Sequence, residues 1–169
     1  MKNVPVSPLG FILEQALLVH PLAAPICLAG LYFFLRAKHG KPYRFLGWAY
    51  LIVLLEMLIL KGRIYYLAPI YPMLLAAGAV WIEQWIRARN WDWLKPAILA
   101  PLAVGGIVAA PLALPLLPVE ATIAYSNFWD VGHVKVENHD LGRMPQLFSD
   151  MFGWENQVAI VARVFQGLP

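Results

Sequence analysis

Four stretches of the chain run long enough with little charge to cross a bilayer core, which takes about 20 apolar residues in a helix. They predict helices over 12–35, 44–60, 64–86 and 96–118. The second is the shortest; Glu56 interrupts it, and it borrows Tyr43 at one end. A secretory signal is the rival reading of the first stretch, since Met1–Lys2 precede apolar residues up to Ala23–Ala24. Against that reading, Glu14 and Gln15 break the apolar run, and hydrophobicity then continues to Phe34–Leu35. The fourth stretch holds Pro96, Pro101, Pro111, Pro115 and Pro118 with Gly105–Gly106, a kinked packing helix in which small residues let neighbours approach. The pattern therefore predicts an all-α integral membrane protein of four transmembrane helices.

After Glu120 the pattern changes in kind. Residues 127–143 read as a polar loop. Leu147, Met151, Trp154, Val158, Val161 or Ala162, and Phe165 then recur at helical spacing. Two short amphipathic helices over 146–152 and 154–166 follow, with Pro145 in a first-turn position, Gly153 as a stop and Gly167 at the end. The tail, 120–169, carries three cations against six carboxylates. It reads as the start of a soluble domain whose apolar stripe still needs a partner.

Composition agrees with the membrane reading. Hydrophobic residues make up 60% and charged residues 14%, with a mean hydropathy of +0.62; soluble domains carry about a quarter charged residues. Seven Trp, seven Tyr and eight Phe exclude a disordered chain. One cysteine, Cys27, excludes a disulfide scaffold. The basic residues punctuate apolar runs and form no stripe of the kind that binds nucleic acid.

Those cations set the expected orientation. Arg36, Lys38, Lys41 and Arg44 sit in the first connection, and Arg87, Arg89 and Lys95 in the third. Near the span ends the other side holds three, Lys2, Lys61 and Arg63. The first and third connections are thus expected in the cytoplasm, and the N-terminus, the turn at 61–63 and the tail outside it. An N-terminus outside, with no targeting device before it, fits a slice of a longer multi-pass chain. Trp48, Trp81, Trp85, Trp91 and Trp93 fall where aromatic belts are expected.

The most informative stretch for chemistry is Lys61-Gly62-Arg63-Ile64-Tyr65-Tyr66-Leu67-Ala68-Pro69-Ile70-Tyr71-Pro72. Two cations and two tyrosines gather at one membrane interface, and Pro69 and Pro72 loosen the helix start behind them. Such cations can grip a phosphate, Arg as a fork and Lys as a point charge. The same residues also fit plain interfacial anchoring. Glu56 and Glu14 fall near the same level; pairing of Glu56 with Lys61 or Arg63 is expected, because a carboxylate within a span needs a partner. Gln15 and Gln84 read as interhelical hydrogen-bonding residues, and His20 beside Pro21 as a hydrogen-bonded packing residue. Asp130, His133, Glu137, His139 and Asp140 match no standard zinc spacing, so no metal site is expected. No phosphate-binding Gly-rich loop, nucleophile elbow or zinc-protease motif occurs.

Three segments in order resemble one family. KGRIYYLAPIYPMLLAAGAV (61–80), followed by WIEQW, resembles the late transmembrane segment of family 39 glycosyltransferases. These are dolichyl-phosphate-mannose–protein mannosyltransferase-like enzymes of the GT-C superfamily. PLGFILEQALLVHPLAAPICLAGLYF (8–33) resembles the segment before it, and MPQLFSDMFGWENQVAIVARVF (144–165) the start of the extracytoplasmic C-terminal part. Arg63 stands where lysine is commoner and Ser149 where alanine is. The family's catalytic acidic residues lie in an early extracytoplasmic loop with no counterpart here.

The resemblance therefore implies the C-terminal part of a membrane enzyme that moves a sugar from a polyprenyl-phosphate carrier to an acceptor hydroxyl. In that chemistry a carboxylate takes the hydroxyl proton and cations steady the departing phosphate. Lys61 and Arg63 would hold the lipid phosphate, Tyr65 and Tyr66 would support them, and Glu56 and Glu14 are supporting acids. No catalytic residue and no resident cofactor are assigned to this chain. The full enzyme would take a polyprenyl-phosphate-linked sugar, with room for a divalent metal. The implied partners are membrane lipid, the carrier and the N-terminal transmembrane half of the same enzyme, with no nucleic acid. The alternative is a small four-span scaffold or assembly subunit without catalysis.

Overall fold

The computed structural model describes residues 7–131 and 142–168. Every regular element among them is helical. Three helical runs are long and apolar enough to cross a membrane: Lys41–Ile59, Ile64–Arg89 and Leu94–Ala113. The chain divides into two compact units, one spanning Pro5–Val108 and one running from Ala109 onward.

The membrane unit begins with α1, Pro8–Leu18, capped by the Ser7 hydroxyl, which accepts from the Gly10 amide at 3.0 Å. The expected helix over 12–35 is two helices, α1 and α2, Ala24–Arg36. Pro21 is the reason. It has no amide to continue a helix, and its ring disfavours the α conformation at the residue before it. That residue, His20, takes a left-handed φ of 76°. Its Nδ1 accepts the Leu22 amide at 3.3 Å, and its ring abuts the Cα of Gly105, the hydrogen-bonded packing role expected of it.

A 3-10 turn, Lys41–Tyr43, leads into α3, Arg44–Ile59. The next segment, Ile64–Ile70, winds as a 3-10 helix before α4, Tyr71–Arg89. Pro69 and Pro72 each remove an amide that an α-helix here would require, so the backbone tightens until Pro72 can occupy a first turn. Asn90, at φ 54°, ends α4 in the left-handed position that Gly or Asn favours. Arg87 and Arg89 complement the helix dipole there. The last long helix, α5, is Leu94–Ala113, and none of its side chains is buried within the chain. Such an apolar surface is what lipid covers.

The core lies where α2 crosses α4. Gly30 and Gly78 face each other, so a Cβ on Gly30 would strike the Leu74 carbonyl and one on Gly78 the Ile26 carbonyl. Phe11, Cys27, Phe33, Phe34, Leu67, Tyr71, Leu74 and Ala77 fill the space around this crossing. Lipid is as apolar as these side chains, so their burial supplies little drive; close packing and polar links hold the helices together.

In the second unit, α6 (Val119–Phe128) was not foreseen in the sequence pattern. Pro115 and Pro118 end α5, and Pro118 then caps a fresh helix whose first turn holds Glu120. Beyond it, α7 is Gln146–Ser149 and α8 is Trp154–Gln166.

Candidate functional site

The turn between α3 and α4 holds the expected phosphate-binding residues. The Leu60 amide donates to the Glu56 carbonyl at 2.9 Å and the Gly62 amide to the Met57 carbonyl at 2.8 Å. The first continues the α-helix; the second is the 6→1 bond that closes a helix end over a left-handed residue, usually glycine. Here that residue is Lys61, with φ 51°. A side chain in this conformation is strained by about 1–2 kcal/mol. Glycine stands one position too late to relieve it.

Arg63 follows in extended backbone. Its Nη1 donates to the Tyr65 hydroxyl at 2.6 Å, and its Cζ lies 5.8 Å from the Tyr65 ring centre. Tyr66 packs edge-on against Tyr65 at 5.0 Å and is itself exposed. The four residues are thus brought to one turn, with the guanidinium steered by a phenol.

The supporting acids are less engaged. Glu56 is exposed on α3 and makes no ion pair with Lys61 or Arg63 among the described residues. Glu14 is half-buried on α1, the helix that packs against 64–70. Of the two glutamines, Gln84 is exposed with no hydrogen bond among the described residues, whereas Gln15 is buried and central. Gln15 Nε2 donates to the Ile64 carbonyl at 3.0 Å, and its Oε1 accepts the Tyr71 hydroxyl at 2.5 Å. Tyr50 meets the Tyr71 ring edge-on at 6.4 Å. One amide therefore ties α1, the 3-10 segment and α4 together directly behind Arg63. The tyrosine could have been found by asking what a buried glutamine bonds to, since Tyr71 is the polar aromatic on the apolar face of α4.

No family model, curated protein or solved structure matches this chain.

Elsewhere, no group of three potential metal ligands occurs among the described residues. His133, Glu137, His139 and Asp140 lie outside them. The apolar tail stripe exists as drawn from the sequence over 154–166: Trp154, Val158, Val161 and Phe165 share one face of α8, and all are exposed. The helix expected over 146–152 is the single turn Gln146–Ser149.

Proposed function

We propose that the chain is the C-terminal membrane portion of a polyprenyl-phosphate-sugar-dependent glycosyltransferase. It contributes lipid-phosphate docking through Lys61, Arg63, Tyr65 and Tyr66, and the catalytic carboxylate, acting as general base, is supplied by another part of the enzyme. In this reading α1 and α2 together form one broken span, the chain crosses the membrane four times, and 120–169 is extracytoplasmic. The observation that carries it is Lys61, a long cationic residue held left-handed in a turn that favours glycine, two residues from an arginine steered by Tyr65. Backbone strain of this kind concentrates at functional sites.

The test uses the full chain in nanodiscs, with native mass spectrometry comparing a polyprenyl monophosphate and the matching polyprenol. The phosphate should raise affinity about tenfold or more, as for a charge-assisted hydrogen-bond pair. Lys61→Gly and Arg63→Gln should each remove most of that margin. Lys61→Gly relieves the backbone strain, so a loss of binding there does not stem from misfolding. Equal binding of phosphate and alcohol by the native chain refutes the proposal.

The exposed apolar face of α8 favours a second reading, a non-catalytic assembly subunit. In that case the Lys61 and Arg63 variants leave lipid binding unchanged, and Val158→Asp in α8 dissolves the native complex.

A further inference from the structure

The opposite end of the membrane unit carries a different set of groups. Gly30 of α2 lies against Leu74 and Gly78 of α4, and further along both helices Tyr32 meets Trp81 edge-on at 5.2 Å. The two helices therefore run parallel, and Arg36 and Trp85, four residues beyond that pair, stand near one level. The connections 37–43 and 90–93 consequently emerge at the same end, remote from the Lys61 turn by the length of α3.

Seven cations gather there: Arg36, Lys38, Lys41, Arg44, Arg87, Arg89 and Lys95. Glu83 and Asp92 are the nearby carboxylates, and both are already engaged. Arg87 meets Glu83 at 2.6 Å, and Lys95 meets Glu83 at 3.2 Å and Asp92 at 2.9 Å. Segment 36–44 contains no carboxylate. Arg36, Lys38, Lys41, Arg44 and Arg89 are all exposed and make no ion pair among the described residues.

Arg89 is also positioned. Its Cζ lies 4.2 Å from the Trp85 ring centre and 5.8 Å from that of Trp91, and the two indoles meet edge-on at 5.3 Å. Contact with ring faces occupies no N–H in a hydrogen bond, so the guanidinium fork remains for an oxygen anion. At the same end Trp91, Trp93, Tyr43, Phe45 and Trp48 are exposed. Aromatic residues of this kind sit at headgroup depth, so they hold the cations at the level of lipid phosphates.

We propose that this end is a docking surface for anionic glycerophospholipid headgroups, with Arg89 and the cations of 36–44 as its ligands. The aromatic ring decides for lipid over a soluble acidic partner, because it anchors these cations within the bilayer interface instead of projecting them into water. The inference is independent of the polyprenyl-phosphate reading, which concerns the other end.

The chain provides its own reporter, since five of its seven tryptophans (Trp48, Trp81, Trp85, Trp91 and Trp93) are in this region. The full chain is reconstituted in phosphatidylcholine vesicles containing a fixed fraction of phosphatidylglycerol. Bromines are placed on the acyl chains of either the phosphatidylcholine or the phosphatidylglycerol at equal mole fraction. Enrichment of the anionic lipid should make its quenching about twofold deeper than that of the zwitterionic lipid, and the excess should shrink with salt. In the variant Lys38→Gln/Lys41→Gln/Arg44→Gln/Arg89→Gln the two lipids should quench alike. Equal quenching in the native chain overturns the proposal without reference to any variant. An excess that millimolar inorganic phosphate abolishes also overturns it, since the site then takes a soluble anion.

Discussion

Replacing Gly30 by Ala puts one methyl into the crossing of α2 and α4. Its Cβ would fall well inside contact distance of the Leu74 carbonyl oxygen, a backbone atom that no rotamer change can move. The helices must separate by roughly 1 Å, because close-packed interiors leave no slack. A gap of that size forfeits about a quarter to a half of each dispersion contact, each contact being about 0.1–0.2 kcal/mol. Over roughly 40 atom pairs along this interface, the loss is about 2 kcal/mol, within the usual range for overpacking.

Gly78→Ala should cost a similar amount, since its Cβ strikes the Ile26 carbonyl. The double variant should cost little more than either single one, because one separation accommodates both methyls. Gly106→Ala is the control. It lies in α5 with nothing within 4 Å of the new Cβ, and an open helical Gly→Ala change stabilises by about 0.4–1 kcal/mol.

Cys27 reports the outcome. It is the single cysteine of the chain and is 7% exposed within the crossing. A fluorogenic maleimide added during a thermal ramp in detergent therefore reads the opening of α2 from α4. The midpoint should fall by about 5 °C for Gly30→Ala, on the scaling for chains of this length. It should hold or rise for Gly106→Ala. A rise for Gly30→Ala, or additive costs in the double variant, refutes the close crossing.

Other outcomes follow from the same contacts. Gln15→Leu strands the buried Tyr71 hydroxyl and the Ile64 carbonyl and should cost about 1–3 kcal/mol; adding Tyr71→Phe should recover part of it, read by the same Cys27 ramp. Val158→Asp and Phe165→Asp in α8 replace exposed side chains, 63% and 75% accessible respectively, and should leave the Cys27 midpoint unchanged while abolishing any association of the tail seen by cross-linking. Glu83→Gln removes two ion pairs at the surface, where the Glu83 side chain is 39% accessible, and surface pairs contribute little. No resolvable midpoint shift is expected, and a clear drop would show that the α4–α5 connection is more tightly bound than its exposure implies.

The amino-acid pattern by itself determined much of the helical layout, because the length of an apolar run and its proline stops are local properties. It placed helices at 44–60, 64–86 and 96–118 close to Arg44–Ile59, Tyr71–Arg89 and Leu94–Ala113, and marked Pro69 and Pro72 as loosening the start of α4. The amphipathic face of α8 was equally legible, since apolar spacing along one helix needs no partner to be counted. The candidate phosphate turn was legible as a cluster, because Lys61, Arg63, Tyr65 and Tyr66 are neighbours in the chain.

What depended on residues distant in sequence was not legible. The break at His20–Pro21 was read through as one helix; His20 is left-handed there and its ring meets Gly105, from a helix some eighty residues on. The expected Glu56 pairing is not made, while Gln15 found Ile64 and Tyr71. Lys61's left-handed backbone also emerged only in three dimensions, because the turn from α3 to α4 dictates it. Two glycines that look like generic small residues in their own helices let the backbones touch when α2 meets α4. Hydropathy says which segments leave water, but it is nearly silent about which faces then meet. Inside an apolar medium every face is equally apolar, and only backbone approach and the pairing of buried polar groups choose among them.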